Sequence, residues 1–312
     1  INSTTIINRM DIAWGDDTDW NRSGYWIGAL GISGVVDLQN LTVDVLDDSD
    51  SGTDPAKDFG LGLALAFERL EANLHIVVGQ KAAIGNIFSC VKKSNLEVSG
   101  ITLEPLASAD AVLSDEEREA GVCLVDIGGG TTDVAIFKDG IIRHTAVIPF
   151  GGNVITEDIK EGCSIIEKQA ELLKVKFGSA WPGENSENEI VSIPGLRGRD
   201  PKEITLKNLS KIIHARVVEI IEQVYLEIKN YGHEEQKKKL IAGIVLTGGG
   251  AQLQHLKQLV EYITGMDTRI GYPNEHLAGD SDSETTSPLY ATAVGLVMNS
   301  LESKARAHRI AK

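Results

Sequence analysis

The chain is poor in cysteine and aromatic residues and has no long apolar run, and each shortage narrows what it can be. Its three cysteines, Cys90, Cys123 and Cys163, are far apart among 312 residues. They form no CxxC pair and have no His at metal-ligand spacing, which argues against a disulfide framework or a zinc site. They read as reduced, buried thiols, and hence as those of a cytosolic protein. No stretch approaches about 18 consecutive apolar residues, so no membrane-spanning helix is predicted. The chain opens at Ile1 without an initiator Met or a charged-then-apolar leader, and so reads as soluble and as a fragment. Basic residues are also scarce, with 30 Lys plus Arg against 45 Asp plus Glu and a net charge of -15. A surface that acidic repels phosphate backbones, which disfavours general nucleic-acid binding. At 24% charged and 42% hydrophobic the composition is that of a globular chain with length for two domains or more.

Glycine, by contrast, is abundant at 32 residues, and the excess lies in short runs. Such runs serve unusual backbone angles or close approach to a ligand.

The chain changes character near Phe67 to Leu70. Up to Asp58 every acidic residue is Asp, the first Lys is Lys57, and the first Glu is Glu68. In this first piece Leu41, Val43 and Val45 alternate with polar residues, while Leu61, Leu63, Leu65 and Phe67 alternate with Gly and Ala. Both patterns predict strands. Apolar-small alternation beside Trp14, Trp20 and Trp26 also fits outer-membrane barrel strands, but there are too few to close a barrel. Asp47, Asp48 and Asp50 with Gly52 lack the glycine position and the bidentate Glu of a calcium loop, and read as a solvated turn. Further on, the run from His75 to Gly79 predicts a strand, 82–94 an amphipathic helix with Ile84, Ile87, Phe88 and Val91 on one face, and 98–103 another strand. The three together predict a β-α-β unit.

Two motifs carry chemistry. The first, LVDIGGGTTDVAIF at 124–137, is a pair of apolar strands around a turn of three glycines and two threonines. Gly128, Gly129 and Gly130 allow successive N–H groups to converge on an anion, and the Thr131 and Thr132 hydroxyls add donors. Asp126, at the end of the first strand, suits a magnesium ion held through its water shell. Taken alone, the motif also fits a glycine-rich hairpin with a buried Asp. The second motif, GIVLTGGGAQL at 243–253, runs a buried strand into Gly248, Gly249, Gly250 and Ala251, then into an amphipathic helix through Leu253, Leu256, Leu259 and Val260. There bare backbone is available to a flat ring or a phosphate. One such turn is weak; two more than a hundred residues apart point to one ligand.

With those motifs the sequence resembles the actin-like ATPase superfamily, an α/β, ribonuclease H-like fold. Residues 126–133 match its second phosphate loop, and Thr247 to Ala251 its adenosine loop. EPLASA at 104–109 and SPLYATAVG at 287–295 match its crossing connector helices, whose small residues Ala107, Ala109, Ala291, Ala293 and Gly295 permit close approach. Each alone also reads as an Ala-rich core helix. From Arg69 onward the chain is similar to the bacterial FtsA family, on RLEANLHI at 69–76, LEPLASA at 103–109, VDIGGGTTD at 125–133 and IRHTAVIPFGG at 142–152. IPGLRGR at 193–199 and LVEYITGMDTRIGYP at 259–273 are similar to its Bacteroidetes branch.

The resemblance implies ATP and Mg2+ as cofactors, with at most weak ATPase activity. It places Gly151 and Gly152 at a turn near the nucleotide, and Glu171 with Lys174 on a helix contacting ribose and adenine. On the residues alone, Glu171 and Lys174 read as a solvent-facing helical ion pair. Glu104 matches the position of a residue that orients the attacking water, beside Asp126. The implied role is a cell-division adaptor linking FtsZ filaments to the membrane, with the FtsZ tail received by a small subdomain, self-association into filaments, and other divisome partners. The implied location is cytoplasmic, on the inner face of the membrane at the division site. An ATP hydrolase or kinase of the same fold, or a truncated chimera without function, are the competing readings.

The implied organisation is a foreign β-rich segment at 1–68, a remnant of the FtsA-specific subdomain with a connecting helix at 69–119, a nucleotide-binding lobe at 120–300 with a small subdomain inserted at about 179–241, and a tail at 301–312. The first lobe is expected to be incomplete. Its Asp-x-Gly-Thr loop is not found, Gly31 to Val36 being the nearest candidate. The tail is basic but lacks the apolar face of a membrane-binding helix, and reads as the end of the preceding helix. Within the insert, 206–231 predicts a long helix with Ile212, Ile213, Val217, Ile220, Ile221, Val224 and Ile228 buried, and Arg216, Glu219 and Lys229 on the surface. Its exposed residues are the candidate FtsZ contacts. Ser179 to Arg199 reads as a mobile loop.

Overall fold

The computed structural model describes residues 3–14, 36–37, 42–43, 70–185, 188–195, 200–233, 235, 238–273, 277 and 284–310. These divide into two compact units, Ile1–Glu97 and Val98–Lys312.

In the first unit β1 (Ser3–Trp14) pairs antiparallel with β4 (Leu70–Gln80), and β2 (Val36–Asp37) pairs with β3 (Thr42–Val43). Strand β3 falls within the alternation expected around Val43, and β4 contains the apolar run from His75. The strand expected at Leu61 to Phe67, the turn at Asp47 to Gly52 and the segment 31–35 lie outside the described residues. The helix expected at 82–94 is α1 (Lys81–Lys93). None of its residues is buried, and Ile87 is 54% exposed, so its apolar face is not a core face. Cys90 on this helix is exposed, which corrects the expectation of three buried thiols; Cys123 and Cys163 are buried.

The second unit begins with a correction. Residues 98–103 form no strand, because no neighbouring strand takes their backbone groups. The β-α-β unit expected there is therefore absent. Instead the chain enters α2 (Glu104–Val112), with Pro105 in the first turn, and α3 (Asp115–Ala120), which opens on a capping box between Ser114 and Glu117.

Strands β5 (Val122–Ile127), β6 (Thr132–Lys138) and β7 (Ile141–Ile148) form an antiparallel meander. Asp139 and Gly140 turn β6 into β7 with φ of 56° and 73°, the left-handed pair a two-residue hairpin requires. Next come α4 (Gly152–Cys163), α5 (Glu167–Phe177), the hairpin β8 (Ile190–Ile193) with β9 (Lys202–Thr205), and α6 (Leu206–Tyr231). Strand β10 (Ile244–Thr247), α7 (Leu256–Thr264), β11 (Thr268–Ile270) and α8 (Ala291–Ile310) complete the unit. The sheet order is β11-β10-β5-β6-β7, with β10 parallel to both of its neighbours.

Both faces of this sheet are covered, and β5 is buried along its whole length. Cys123, Val125 and Ile127 face a core shared with α4, α5, α6 and α7, while Val122 and Leu124 face Ala109, Val112 and Ala291 of α2 and α8. Helix α6 spans the range its apolar period predicts, capped by Thr205 and ended by Gly232 at φ 95°. Its stripe is buried from Ile213 to Ile228, with Ile212 only partly so.

Ser179 and Ala180 are wholly buried, and Gln254 bridges to Ser179, so the start of the segment read as a mobile loop is instead part of the core. Two hydrogen bonds fix it: Ser210 donates to the Ser179 carbonyl in a buried bond, and the Ala180 N–H donates to the Gln254 carbonyl. Further along the same segment, residues 190–193 form β8.

Helices α2 and α8 meet at small residues. A Cβ added to Gly295 would lie 1.7 Å from the Ala107 carbonyl oxygen, so the helices can cross this closely only without a side chain there. We expect Gly295→Val to destabilise this unit by about 3 kcal/mol or more, lowering Tm by roughly 5 to 10 °C in a thermal melt. An unchanged Tm would contradict the crossing.

Candidate functional site

Strands β5 and β10 lie side by side and parallel, with Val125 opposite Leu246 and Asp126 opposite Thr247. Each runs directly into its glycine turn, so both turns emerge at the same edge of the sheet. Their contact is direct. A Cβ on Gly248 would lie 2.3 Å from Asp126 Oδ1, and one on Gly250 would lie 2.3 Å from Ile127 Cγ2.

The two turns use glycine differently. Gly248 has φ 81°, a left-handed conformation, and leads into a short helical turn at Gly249–Gln252 that holds Ala251 buried. None of Gly128, Gly129 and Gly130 has a positive φ. Gly128 closes its turn by donating to the Thr131 carbonyl at 2.9 Å. The tip is exposed, and the N–H groups of Gly129, Gly130 and Thr131 donate to no acceptor among the described residues. Three adjacent free N–H groups on an exposed turn are available to an anion.

The start of α4 holds this turn from below. Gly152 N–H donates to the Gly128 carbonyl at 2.9 Å and Asn153 N–H to the Gly129 carbonyl at 2.7 Å. Gly151 must be glycine, since a Cβ there would sit 2.6 Å from the Gly128 oxygen. Gly151 and Gly152 therefore support the turn. Thr132 is wholly buried and its hydroxyl donates to the Phe150 carbonyl at 2.8 Å, which commits it to the scaffold. Thr131, exposed, donates to Asp133 Oδ2 at 3.1 Å.

Glu171 and Lys174 on α5 form a tied network with α4. Lys174 Nζ donates to the Gly152 carbonyl at 2.9 Å, to Thr156 Oγ1 at 2.8 Å and to Glu171 Oε2 at 2.8 Å. The lysine end is 14% exposed, so the pair is anchored to the turn's support rather than free in solvent. Partial burial works against the Glu171 charge, but bonds from Lys174 and Thr156 hold its carboxyl below the usual range.

Three carboxylates gather beside the turns. Asp126 and Asp133 are directly opposite on β5 and β6, and Asp126 is buried. Desolvation raises the Asp126 carboxyl above its usual range, a hydrogen bond from Ser108 works against this, and Asp133 adds repulsion. Desolvation raises Asp133 as well. Glu104, at the start of α2 and still reaching solvent, is raised by desolvation and then by Asp133 and Asp126. None of the three makes an ion pair among the described residues. Uncompensated negative charge of this kind suits a cation. No group of three or more His, Cys, Asp or Glu among the described residues is placed to ligate a metal directly. Asp133, Ser108 and Thr156 were not singled out from sequence. Asp133 was legible in the strand register of its motif, whereas the two hydroxyls enter only through helix packing.

The family model for cell division protein FtsA matches residues 123–295, from β5 to the helix crossing at Gly295, which is more than half of the chain. The chain belongs to the FtsA family. FtsA of Pseudomonas aeruginosa is 40% identical over 240 residues, covering 77% of this chain and 56% of that protein. FtsA of Escherichia coli is 36% identical over 245 residues, covering 77% and 58%, and FtsA of Bacillus subtilis 36% over 265 residues, covering 83% and 56%. This FtsA chain thus spans a little over half the length of the curated relatives it matches. Among solved structures, MreB5 of Spiroplasma citri bound to ADP is similar with a TM-score of 0.59 at 23% identity, covering 74% of this chain and 68% of that one. The PilM-PilN type IV pilus biogenesis complex gives 0.58 at 17% identity, covering 76% and 63%. The fold is that of the actin-like ATPases. No helix among the described residues is long and apolar enough to cross a membrane.

Because Asp126, Asp133 and Glu104 hold protons more tightly in the folded chain than in the unfolded one, their ionisation opposes folding. The nucleotide-free protein should therefore gain stability as pH falls from about 7 toward the ordinary carboxylate range. Glu171, held low, loses its contribution only further down. Asp126→Asn should flatten the rise and increase Tm at pH 7; a wild-type Tm that falls over this interval would contradict the assignment.

Proposed function

We propose that this FtsA chain binds ATP with Mg2+ between its two glycine turns and serves as a division adaptor, with binding outweighing turnover. One observation carries the reading: two triglycine turns leave neighbouring parallel strands at one sheet edge and touch at the buried carboxylate of Asp126. In open α/β sheets ligands bind outside the carboxyl ends of the parallel strands.

In this reading the free N–H groups of Gly129, Gly130 and Thr131 receive phosphate oxygens, and the bare backbone of Gly248 to Ala251 lets the adenosine approach. The first turn of α4 and the Lys174 network hold the phosphate turn in place, with Glu171 beside the ribose. Bound Mg2+ would neutralise phosphate charge. Asp126, with Asp133, would hold its water shell, and Glu104 would orient a water near the terminal phosphate. The actin-like relative solved with ADP supports the nucleotide.

The family supports the partner reading. The β8–β9 hairpin and α6 form the small subdomain that receives the FtsZ tail, and filament formation, other divisome partners and a location on the inner membrane face at the division site belong to the same proposal. No nucleic acid is involved.

Titration with a fluorescent ATP analogue tests the nucleotide. Saturable, Mg2+-dependent binding is expected. A Cβ at Gly130 would meet nothing within 4 Å, so Gly130→Val should leave stability within about 0.5 kcal/mol yet weaken ATP binding roughly tenfold or more. No saturable binding, by this chain or by one extended to the family's full length, would remove the claim. For the partner, a peptide of the FtsZ tail should slow amide exchange within 190–231; slowing only elsewhere would displace the site.

A further inference from the structure

Two hydroxyls from different helices form a chain that ends on the Asp126 carboxylate. Ser108 on α2, wholly buried, donates to Asp126 Oδ2 at 2.7 Å. Its oxygen lies 2.9 Å from Thr292 Oγ1 on α8. Each hydroxyl has one proton. Ser108 gives its proton to the carboxylate, so its oxygen accepts the proton of Thr292.

These residues sit at the helix crossing. Ala107, whose carbonyl excludes any side chain from position 295, immediately precedes Ser108, and Gly295 lies three residues after Thr292, on the same face of α8. The closest approach of the two helices and the hydroxyl pair are therefore one patch of interface. A rotation of either helix that opened the approach between Ala107 and Gly295 would also break the hydroxyl chain to Asp126.

The polar pair is not what packing alone requires. The crossing is otherwise apolar, with Ala107, Ala109, Ala291 and Gly295 beside Leu106, Val112 and Val294, and a hydroxyl buried in such a setting, as that of Ser108 is, is costly unless bonded. The chain of bonds ends on a carboxylate that faces two other acids and makes no ion pair among the described residues. Its second oxygen, Oδ1, lies against the bare backbone of Gly248. Asp126 thus joins the two glycine turns on one side and the two crossing helices on the other.

We propose that Ser108 and Thr292 are positioning residues that tie the Asp126 carboxylate to the α2–α8 crossing, so that the geometry of the crossing and the occupancy of the groove between the glycine turns are coupled. The inference rests on the nucleotide reading above. Coupling of this kind is reciprocal: whatever the ligand does to the crossing, the crossing does to ligand affinity.

Amide hydrogen exchange on the full chain, with and without ATP and Mg2+, tests this in wild type, Ser108→Ala, Thr292→Val and the conservative Thr292→Ser. In wild type and Thr292→Ser, nucleotide should slow exchange both at the turns, 128–131 and 248–252, and at the crossing, 104–112 and 287–295. In Ser108→Ala and Thr292→Val the slowing at the turns should persist while that at the crossing is lost. The Mg2+ concentration giving half of the ATP-induced thermal shift should also rise at least about fivefold in Ser108→Ala, which loses a hydrogen bond to a charged group, and at least about twofold in Thr292→Val, which loses the neutral bond behind it. Thr292→Val preserves shape, so it supplies the answer should Ser108→Ala fold poorly. Variants that lose stability but keep wild-type slowing at the crossing and the wild-type Mg2+ midpoint would overturn the proposal, leaving the pair as packing. Wild-type slowing confined to the turns would overturn the coupling alone. No slowing anywhere in wild type would overturn the nucleotide reading, and this inference with it.

Discussion

The parallel pairing of β5 with β10 is the constraint on which the rest depends. It sets Asp126 opposite Thr247, so two glycine turns separated by more than a hundred residues leave the sheet at one edge. A parallel pair cannot be joined by a tight hairpin and requires a long crossover. Here the crossover contains β6, β7, α4, α5, the β8–β9 hairpin and α6. Part of that crossover, the β8–β9 hairpin and α6, is also the proposed partner-binding subdomain, so the connection that aligns the ligand turns carries the proposed second function as well.

Burial on both faces fixes the pairing. The alternating side chains of β5 divide between the α4–α7 core and the smaller core under α2 and α8. A slip of one residue would exchange the two sets and move Asp126 out of its hydrogen bond with Ser108 of α2. Fully burying each large aliphatic residue is worth about 1.5 to 3 kcal/mol. That stabilisation holds three carboxylates close together despite their repulsion and desolvation. The site thus holds uncompensated negative charge against a well-packed sheet, an arrangement that suits a cation.

Helix α4 and the α2–α8 crossing support the site from opposite sides. The first turn of α4 holds the phosphate turn by two backbone hydrogen bonds, while further along the same helix Asp158 accepts a bidentate pair from Arg216 of α6 at 2.6 and 3.0 Å. Arg216, read from sequence as a surface charge, therefore joins the subdomain helix to the helix that carries the turn.

The sequence by itself determined the elements whose signal is local: the 26-residue span of α6 from its apolar period and cap, the two strand-to-glycine turns, and the small residues at which α2 and α8 cross. It misjudged 98–103, where alternation without a partner strand makes no ladder, and α1, whose amphipathic face buries nothing, because alternation and periodicity describe one element and not what lies beside it. Tertiary structure alone decided that Thr132 is committed to Phe150, that Lys174 grips the start of α4, and that Thr292 meets Ser108 where Ser108 bonds Asp126. Those contacts join residues 18 to 184 positions apart. A hydroxyl or an amine carries no record in the chain of which acceptor the packing will bring within 3 Å of it.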